Sequence, residues 1–214
     1  MNFGYIRSMA ATPKVRVADV DFNKISVLRA ISAAKESGAA LLVLPELCLT
    51  GYTCGDLFYS GVLLSAAKRA LKEIAESTAE SAMLIFVGLP IRKDGLIYNC
   101  AAALNRGRVL AFVPKTFLPD YWEYCERRYF APCPEKNDSV DFFGERVPFG
   151  RKFVFRAAGQ ESFTVAAEIC EDLWALQPPS AEHAAAGANI IVNLSCSSET
   201  AGKAENRRRL IAEH

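Results

Sequence analysis

Several residue types and patterns are scarce in this chain, and each scarcity excludes a class of function. Only two of the 214 residues are histidine, His183 and His214, and none of the seven cysteines forms a C-x-x-C pair. Since zinc sites use closely spaced cysteine and histidine ligands, no metal site is expected. Twenty-five basic residues nearly balance 24 acidic ones. That balance predicts no electrostatic attraction to nucleic acid or to an anionic membrane.

Long apolar segments are missing as well. The longest apolar run, residues 39–45, is far too short to cross a bilayer, and the first residues lack the apolar centre of a signal peptide. An odd number of cysteines in a chain of this length argues against a disulfide framework and for a reducing compartment. We therefore predict a cytoplasmic protein without a membrane partner.

The chain does contain enough apolar residues for a sizeable core. Hydrophobic residues make up 51% of it, so residues 1–214 are predicted to form a single domain. Strand patterns occupy residues 14–20, 40–45, 83–88, 96–104, 108–113, 163–169 and 190–194. Because helical patterns lie between many of these strands, the sequence predicts an α/β layered fold.

The helical patterns have recognisable ends. The first contains Ile25, Leu28 and Ile31 at helical spacing. Asp21 or Asn23 is expected to cap its start, and Gly38 to end it. Further helices are predicted for residues 64–78, 180–187 and 203–213. Residues 117–150 are predicted to be long loops with one short helix, and loops of that length are often functional.

Three short segments each place a reactive residue just beyond a predicted strand. Glu46 lies in LPELCLTGY, Lys115 in FVPKTFLPDY and Cys170 in AAEICEDLW. Ligand sites in α/β sheets gather outside the carboxyl ends of strands, so these residues are predicted to meet in one pocket. Each residue has a simpler explanation when considered alone. A lone cysteine usually fills core space, and a glutamate or lysine after proline is usually solvated.

Together the three residues fit the hydrolysis of an amide. A free cysteine is mostly thiol at neutral pH, since its pKa is about 8.5. A lysine beside it favours the thiolate, and a carboxylate can accept its proton. The same carboxyl group can then protonate the leaving nitrogen and later activate water. Lys115 and the backbone N–H that follows Cys170 are expected to stabilise the oxyanion, each donor lowering the barrier by about 3 kcal/mol.

The same three segments resemble, in order, the three catalytic boxes of the nitrilase superfamily of carbon–nitrogen hydrolases. The matching letters are LPEL-x-L-T-G-Y, V-P-K-T-F-L-P and E-I-C-E-D-L-W. The resemblance implies a Glu46, Lys115 and Cys170 triad, with the glutamate as general base and the cysteine as nucleophile. It also implies a specific α/β fold, the nitrilase-like four-layer α-β-β-α sandwich.

A narrower resemblance extends over most of the chain. TPKVRVAD, YCERRYFAP, PPSAEHAAAGA and NLSCS followed by KAENRRRL resemble the N-terminal glutaminase domain of glutamine-dependent NAD synthetases. The resemblance implies hydrolysis of glutamine to glutamate and ammonia. The ammonia would serve ATP-dependent amidation of deamido-NAD to NAD at a C-terminal synthetase domain.

That synthetase domain is expected to lie outside these residues. The sequence contains neither an S-G-G-x-D-S loop nor a G-x-x-x-x-G-K-[ST] loop. No cofactor is therefore predicted in this chain, and ATP and deamido-NAD are expected at the absent synthetase domain. The chain reads as a glutaminase domain that is incomplete at its C-terminus, from a protein that forms a homo-oligomer.

The resemblance also supplies candidate pocket residues. Six are implied: Tyr52, Tyr121, Glu126, Glu171, Ser197 and Lys203. Glu126 would orient the triad, while Tyr121, Glu171 and Ser197 would hold the amino-acid end of glutamine. Lys203 would pair with the substrate carboxylate. For the tyrosines, ordinary aromatic packing is the alternative explanation.

Two other functions remain open at this point. The chain is alternatively a free-standing nitrilase-family amidase that acts on another small amide or on a carbamoyl substrate. It is also alternatively an inactive fragment that folds or assembles only with a partner chain.

Overall fold

The computed structural model describes residues 5–214. Within that range the chain forms ten strands and four α-helices. The helices are α1 (Val20–Glu36), α2 (Gly61–Glu76), α3 (Pro179–Ala185) and α4 (Lys203–Glu213). The strands are β1 (Ser8–Ala10), β2 (Leu41–Val43), β3 (Leu84–Lys93), β4 (Leu96–Asn105), β5 (Arg108–Pro114), β6 (Asp138–Phe142), β7 (Glu145–Phe149), β8 (Phe155–Ala157), β9 (Gln160–Ile169) and β10 (Ile190–Leu194).

Within the described residues, the strands form two sheets. The larger one has seven strands in the order β1-β2-β3-β4-β5-β7-β6, and the smaller one has the order β10-β9-β8. In the larger sheet β1, β2 and β3 are parallel, whereas β3, β4 and β5 are joined as antiparallel neighbours. In the smaller sheet β10 is parallel to β9, and β8 is antiparallel to it.

The two sheets pack face to face, with helices on the outside. Along β4, Ala102 and Leu104 join the core under α1 and α2, whereas Ala101 and Ala103 join a second core that contains Val165 of β9. This alternation follows from the two-residue period of a strand, which turns successive side chains to opposite faces. Because α3 lies against β9 on the far side, the layers run α-β-β-α and confirm the predicted fold class.

Helix α1 begins earlier than the sequence predicts. Asp19 is the capping residue, because its side chain accepts a hydrogen bond of 3.1 Å from the N–H of Phe22. The expected caps, Asp21 and Asn23, lie inside the helix. Ile25 is also not a core residue, since 46% of its surface is exposed. Helix α2 buries Leu64, Ala67, Leu71 and Ile74 at helical spacing, and α3 and α4 lie close to the predicted ranges.

The predicted first strand, residues 14–20, is wrong. The strand is β1, which precedes that segment, and Val20 is already the first residue of α1. Val15 and Val17 supplied the alternating pattern, but both side chains are exposed, by 39% and 52%. The alternation therefore does not reflect a face packed on the core. The other six predicted strands are confirmed as β2, β3, β4, β5, β9 and β10.

Residues 117–150 contain more regular structure than predicted. The expected short helix is a single 3-10 turn, Glu126–Arg128, but the segment also holds the β6–β7 hairpin. Val140 and Phe142 on β6 are buried at two-residue spacing, and so are Val147 and Phe149 on β7. That pattern is typical of a half-buried hairpin. The charged residues of both strands made it hard to recognise in the sequence.

A close backbone approach fixes the segment that follows β2. A Cβ built on Gly88 of β3 would lie 2.3 Å from the carbonyl oxygen of Pro45 and 2.4 Å from the amide nitrogen of Leu47. These atoms belong to backbone, so they cannot rotate away as a side chain can. Glycine at this position therefore lets the chain around Glu46 lie directly against β3.

No helix among the described residues combines the length and apolarity that crossing a membrane requires.

We predict that Gly88→Ala lowers the free energy of unfolding by about 1–3 kcal/mol, because the added methyl group forces the two backbone segments apart. Urea unfolding followed by circular dichroism measures this change.

Gly61→Ala is the matched control. Gly61 starts α2 and has no atom within 4 Å of an added Cβ, so its replacement should change stability by less than about 1 kcal/mol. Equal effects of the two substitutions would show that the close approach to Gly88 is not limiting.

Candidate active site

The three triad candidates converge at strand ends, as the sequence predicts. Glu46 follows β2, Lys115 follows β5 and Cys170 follows β9. Their exposed fractions are only 2%, 0% and 7%. Lys115 Nζ lies 2.8 Å from Glu46 Oε1, and Glu46 and Cys170 line the same cavity. The structure therefore brings a thiol, a carboxylate and an ammonium group together in a buried place.

The carboxylate of Glu46 is held on both oxygens. Oε1 accepts hydrogen bonds from Lys115 Nζ at 2.8 Å and from Asn99 Nδ2 at 2.7 Å, and Oε2 accepts one from the N–H of Cys196 at 3.0 Å. The backbone carbonyl oxygen of Asn99 also accepts a hydrogen bond of 2.8 Å from the backbone N–H of Lys115. Asn99 therefore positions two of the three triad candidates, a role that the sequence analysis missed.

Lys115 lies between two carboxylates. Its Nζ donates to Glu126 Oε1 at 2.6 Å as well as to Glu46, and the hydroxyl of Tyr52 donates to the same Glu126 oxygen at 2.7 Å. Burial alone lowers the pKa of Lys115, but the charges of Glu46 and Glu126 outweigh it and raise the net pKa above 10.5. Lys115 is therefore a cation at neutral pH, and the predicted contact between Glu126 and the triad is present.

The thiol of Cys170 is protonated at rest. Burial, and then the negative charge of Glu46, raise the pKa of Cys170 to about 12, and the opposing effect of Lys115 is smaller. Lys115 does favour the thiolate, as expected, but burial and the charge of Glu46 have the larger effect on the pKa of Cys170. An attack by this thiol would need a base, and Glu46 is a carboxylate that lines the same cavity.

Cys170 has an uncommon backbone conformation. Its φ of 46° is in the left-handed region, where a residue other than glycine costs about 1–3 kcal/mol. Asn193 on β10 holds this conformation, because its Oδ1 accepts the N–H of Cys170 at 3.1 Å and its Nδ2 lies 3.4 Å from the carbonyl oxygen. Asn193 was not predicted, although a polar residue inside the apolar run of β10 is a usable signal.

Asp172, two residues after the cysteine, is a third unpredicted site residue. Oδ1 accepts the N–H groups of Thr116 and Phe117 at 3.0 and 2.7 Å, and Oδ2 accepts the N–H of Ile169 at 3.0 Å. Only 1% of Asp172 is exposed. Burial raises the pKa of Asp172 to about 7 against the opposing effect of these N–H groups and of Lys115.

Two cavities meet at Cys170, and they contain five of the six predicted pocket residues. One has a volume of about 510 Å³ and is lined by Tyr121, Glu171, Ser197 and Lys203 together with Cys170. The hydroxyl of Tyr121 donates to Glu171 Oε2 at 2.8 Å. The other cavity, about 640 Å³, is lined by Tyr52, Glu46 and Cys170. Glu126 is 3% exposed and lies behind Lys115.

Sequence comparison identifies relatives of this chain. The chain is 41% identical over 207 residues to the glutamine-dependent NAD(+) synthetase of Mycobacterium tuberculosis, covering 97% of this chain and 30% of that protein. It is 29% identical over 203 residues to the Homo sapiens enzyme of the same name, covering 90% of this chain and 28% of that protein. The chain therefore spans less than a third of the length of these relatives, and the narrower resemblance is confirmed.

Solved structures agree with this result. A glutamine-dependent NAD(+) synthetase from Cytophaga hutchinsonii superimposes with a TM-score of 0.86 at 31% identity, covering 97% of this chain and 33% of that one. An amidase from Nesterenkonia sp. AN1, with the acetamide moiety of fluoroacetamide covalently added at its active-site cysteine, superimposes with a TM-score of 0.71 at 21% identity. That match covers 94% of this chain and 70% of the amidase, and it shows the shared nitrilase-like fold.

The sequence model of the carbon–nitrogen hydrolase family matches residues 6–214, which is nearly the whole chain. On the strength of that match, the chain belongs to the carbon–nitrogen hydrolase family.

Proposed function

We propose that this chain hydrolyses the side-chain amide of glutamine to glutamate and ammonia through a thioester on Cys170. One observation carries the proposal: the thiol, the buried Glu46–Lys115 pair and a cavity with charged residues meet at one point. The substrate follows from the relatives, which are named glutamine-dependent NAD(+) synthetases at up to 41% identity.

In the first half of the reaction Glu46 acts as the base and then as the acid. It takes the proton of Cys170 Sγ as the sulfur forms a bond with the amide carbon. The amide oxygen becomes an oxyanion, which Lys115 and the backbone N–H of Glu171 stabilise. The carbon–nitrogen bond then breaks, the proton on Glu46 passes to the leaving nitrogen, and ammonia departs.

Water completes the cycle. Glu46, again a carboxylate, takes a proton from a water molecule whose oxygen attacks the thioester carbon. The carbon–sulfur bond breaks, the proton returns to Sγ, and glutamate leaves. Because the pKa of the thiol is about 12, the proton transfer from Sγ to Glu46 is coupled to bond formation at carbon. No free thiolate needs to accumulate.

The cavity of about 510 Å³ is the proposed site for the amino-acid end of glutamine. Glu171 carries the charge that suits the substrate ammonium group, and Lys203 carries the charge that suits its carboxylate. Tyr121 and Ser197 supply hydroxyl groups at the same walls. Tyr52 and Glu126 act behind the triad, where their hydrogen bond of 2.7 Å fixes the acid that contacts Lys115.

The ammonia has a proposed use in the whole protein. In that proposal a C-terminal synthetase domain binds ATP and deamido-NAD and converts the latter to NAD. The whole protein is proposed to be a homo-oligomer of the cytoplasm. All seven cysteines are free, including two with exposed side chains, which suits a reducing compartment.

The nucleophile assignment predicts that Cys170→Ala abolishes ammonia release from glutamine without unfolding the chain. Mass spectrometry after treatment with a glutamine-mimicking electrophile should show one adduct, on Cys170.

Cys196→Ala is the matched control, since Cys196 lines the same cavity but offers the triad its backbone N–H. That variant should keep its turnover. Labelling of Cys196 or Cys48 instead of Cys170 would refute the assignment. A folded wild-type chain that shows neither turnover nor labelling would favour the inactive fragment.

For the charged pair we predict losses that do not add. Glu46→Gln and Lys115→Met should each lower kcat by about 10³-fold or more, and the double variant should be little worse, because the groups act as one unit. Steady-state ammonia release measures all three variants.

Glu46→Gln is the less disruptive of the two substitutions, since the amide oxygen of glutamine can still accept hydrogen bonds from Asn99 and Lys115. A melting curve with each variant separates lost chemistry from lost folding. Wild-type kcat in either single variant is the result that would end the triad assignment.

The substrate assignment predicts that Lys203→Met raises KM for glutamine by about 10-fold and changes kcat little, because a contact remote from the reacting carbon acts mainly in ground-state binding. Lys72→Met, on the outer helix α2, is the control and should leave both constants unchanged.

Simple aliphatic amides should be poor substrates for the wild-type chain. If glutamine and acetamide are hydrolysed equally well, and Lys203→Met affects neither, the chain is the free-standing amidase.

A further inference from the structure

The triad candidates come from two different sheets. Glu46 and Lys115 follow β2 and β5 of the seven-stranded sheet, whereas Cys170 follows β9 of the three-stranded sheet. Between the sheets the core is apolar, with Val113 and Ile169 among its members. Apolar packing has little directional preference. Hydrogen bonds that cross from one sheet to the other must therefore set where the cysteine lies relative to the lysine.

Asp172 makes such a crossing at the required place. Its Oδ1 binds the two N–H groups that directly follow Lys115, those of Thr116 and Phe117, and its Oδ2 binds the N–H that directly precedes Cys170, that of Ile169. The Asp172 carboxylate therefore binds the backbone directly after Lys115 and directly before Cys170. Its three hydrogen bonds are 2.7–3.0 Å long, within the normal range for N–H···O contacts.

We infer that Asp172 is a positioning residue that fixes Lys115 relative to Cys170 across the two sheets. It touches neither the substrate nor the reacting atoms in the proposed mechanism, and it acts through the backbone of the two segments. The inference rests on the proposed roles of Lys115 and Cys170 and deepens them. A displacement of about 1 Å between reacting groups is enough to lower a rate by about 10²-fold, so losing this link should slow the chemical step.

Asp172→Asn is the test variant. Asparagine keeps the shape but replaces one acceptor oxygen by an NH₂ group, which then faces a backbone N–H. The hydrogen bonds of Asp172 to at least one of the two segments, the one after Lys115 or the one before Cys170, are therefore lost. Asp172→Glu keeps two acceptor oxygens on a longer side chain and should recover part of the effect.

Asp141→Asn is the matched control. Asp141 Oδ2 also accepts a backbone N–H, that of Gly144 at 3.1 Å, but it lies on the edge strand β6, outside the active site. Its replacement makes the same change from carboxylate to amide and leaves the link between Lys115 and Cys170 in place.

Two rates are measured per folded molecule. The first is kcat for glutamine, divided by the fraction of chains that the electrophile labels on Cys170. The second is the rate of Cys170 alkylation by chloroacetamide, whose small amide group needs no amino-acid pocket. We expect Asp172→Asn to lower both rates by about 10²-fold with KM for glutamine changed less than about threefold. Asp172→Glu should be intermediate and Asp141→Asn unchanged.

A purely structural role gives a different result. Asp172→Asn would then lower the labelled fraction and the melting temperature but leave both rates per labelled chain as in the wild type, and the inference would be wrong. Equal rate losses in Asp172→Asn and Asp141→Asn would also overturn it. If the wild-type chain is inactive on glutamine but the alkylation rate falls in Asp172→Asn alone, the proposed substrate fails and the positioning role stands.

Discussion

Three charges buried together, on Glu46, Lys115 and Glu126, are the constraint on which the rest of the site depends. Each of these residues is at most 3% exposed, and removing such an ion from water costs several kcal/mol unless new partners replace its hydration. Lys115 donates to both carboxylates, while Asn99 and the backbone N–H of Cys196 complete the contacts of Glu46. The strand order supplies these partners, because β4, which carries Asn99, is the neighbour of β5.

The charge balance of this cluster decides how the thiol is used. Burial, and then the negative charge of Glu46, favour the neutral form of Cys170, and its pKa reaches about 12. A thiol of that kind reacts slowly with passing electrophiles, because the thiolate is the nucleophilic form. In the proposed mechanism Glu46, a member of the same cluster, takes the thiol proton once an amide carbon is in place. Burial and the charge of Glu46 thus lower the reactivity of Cys170 at rest, and in the proposed mechanism the same Glu46 is the base for a bound amide.

Local signals in the sequence were sufficient for part of this site and not for the rest. Apolar runs and the three matching segments placed Glu46, Lys115 and Cys170 at strand ends, because each signal lies within about ten residues. Asn99 and Asp172 were missed because their partners lie 53 and 55 residues away along the chain. The fold shows the same division. Buried strands were found from continuous apolar runs, whereas the exposed alternation in residues 14–20 imitated a strand and the β6–β7 hairpin was hidden among charged residues.

The division of the triad between two sheets makes the core between them part of the active site. Small side chains line this interface, since Ala101 and Ala103 of β4 and Ala167 of β9 are all fully or almost fully buried there. Protein interiors are close-packed, and an added methyl group forces backbone shifts. A larger residue at these positions would separate the sheets and carry Cys170 away from Glu46 and Lys115, with every catalytic side chain intact. If the proposed mechanism holds, the alanines of the interface are therefore constrained by the distance that it requires between Cys170 and the Glu46–Lys115 pair, in addition to the packing of the core.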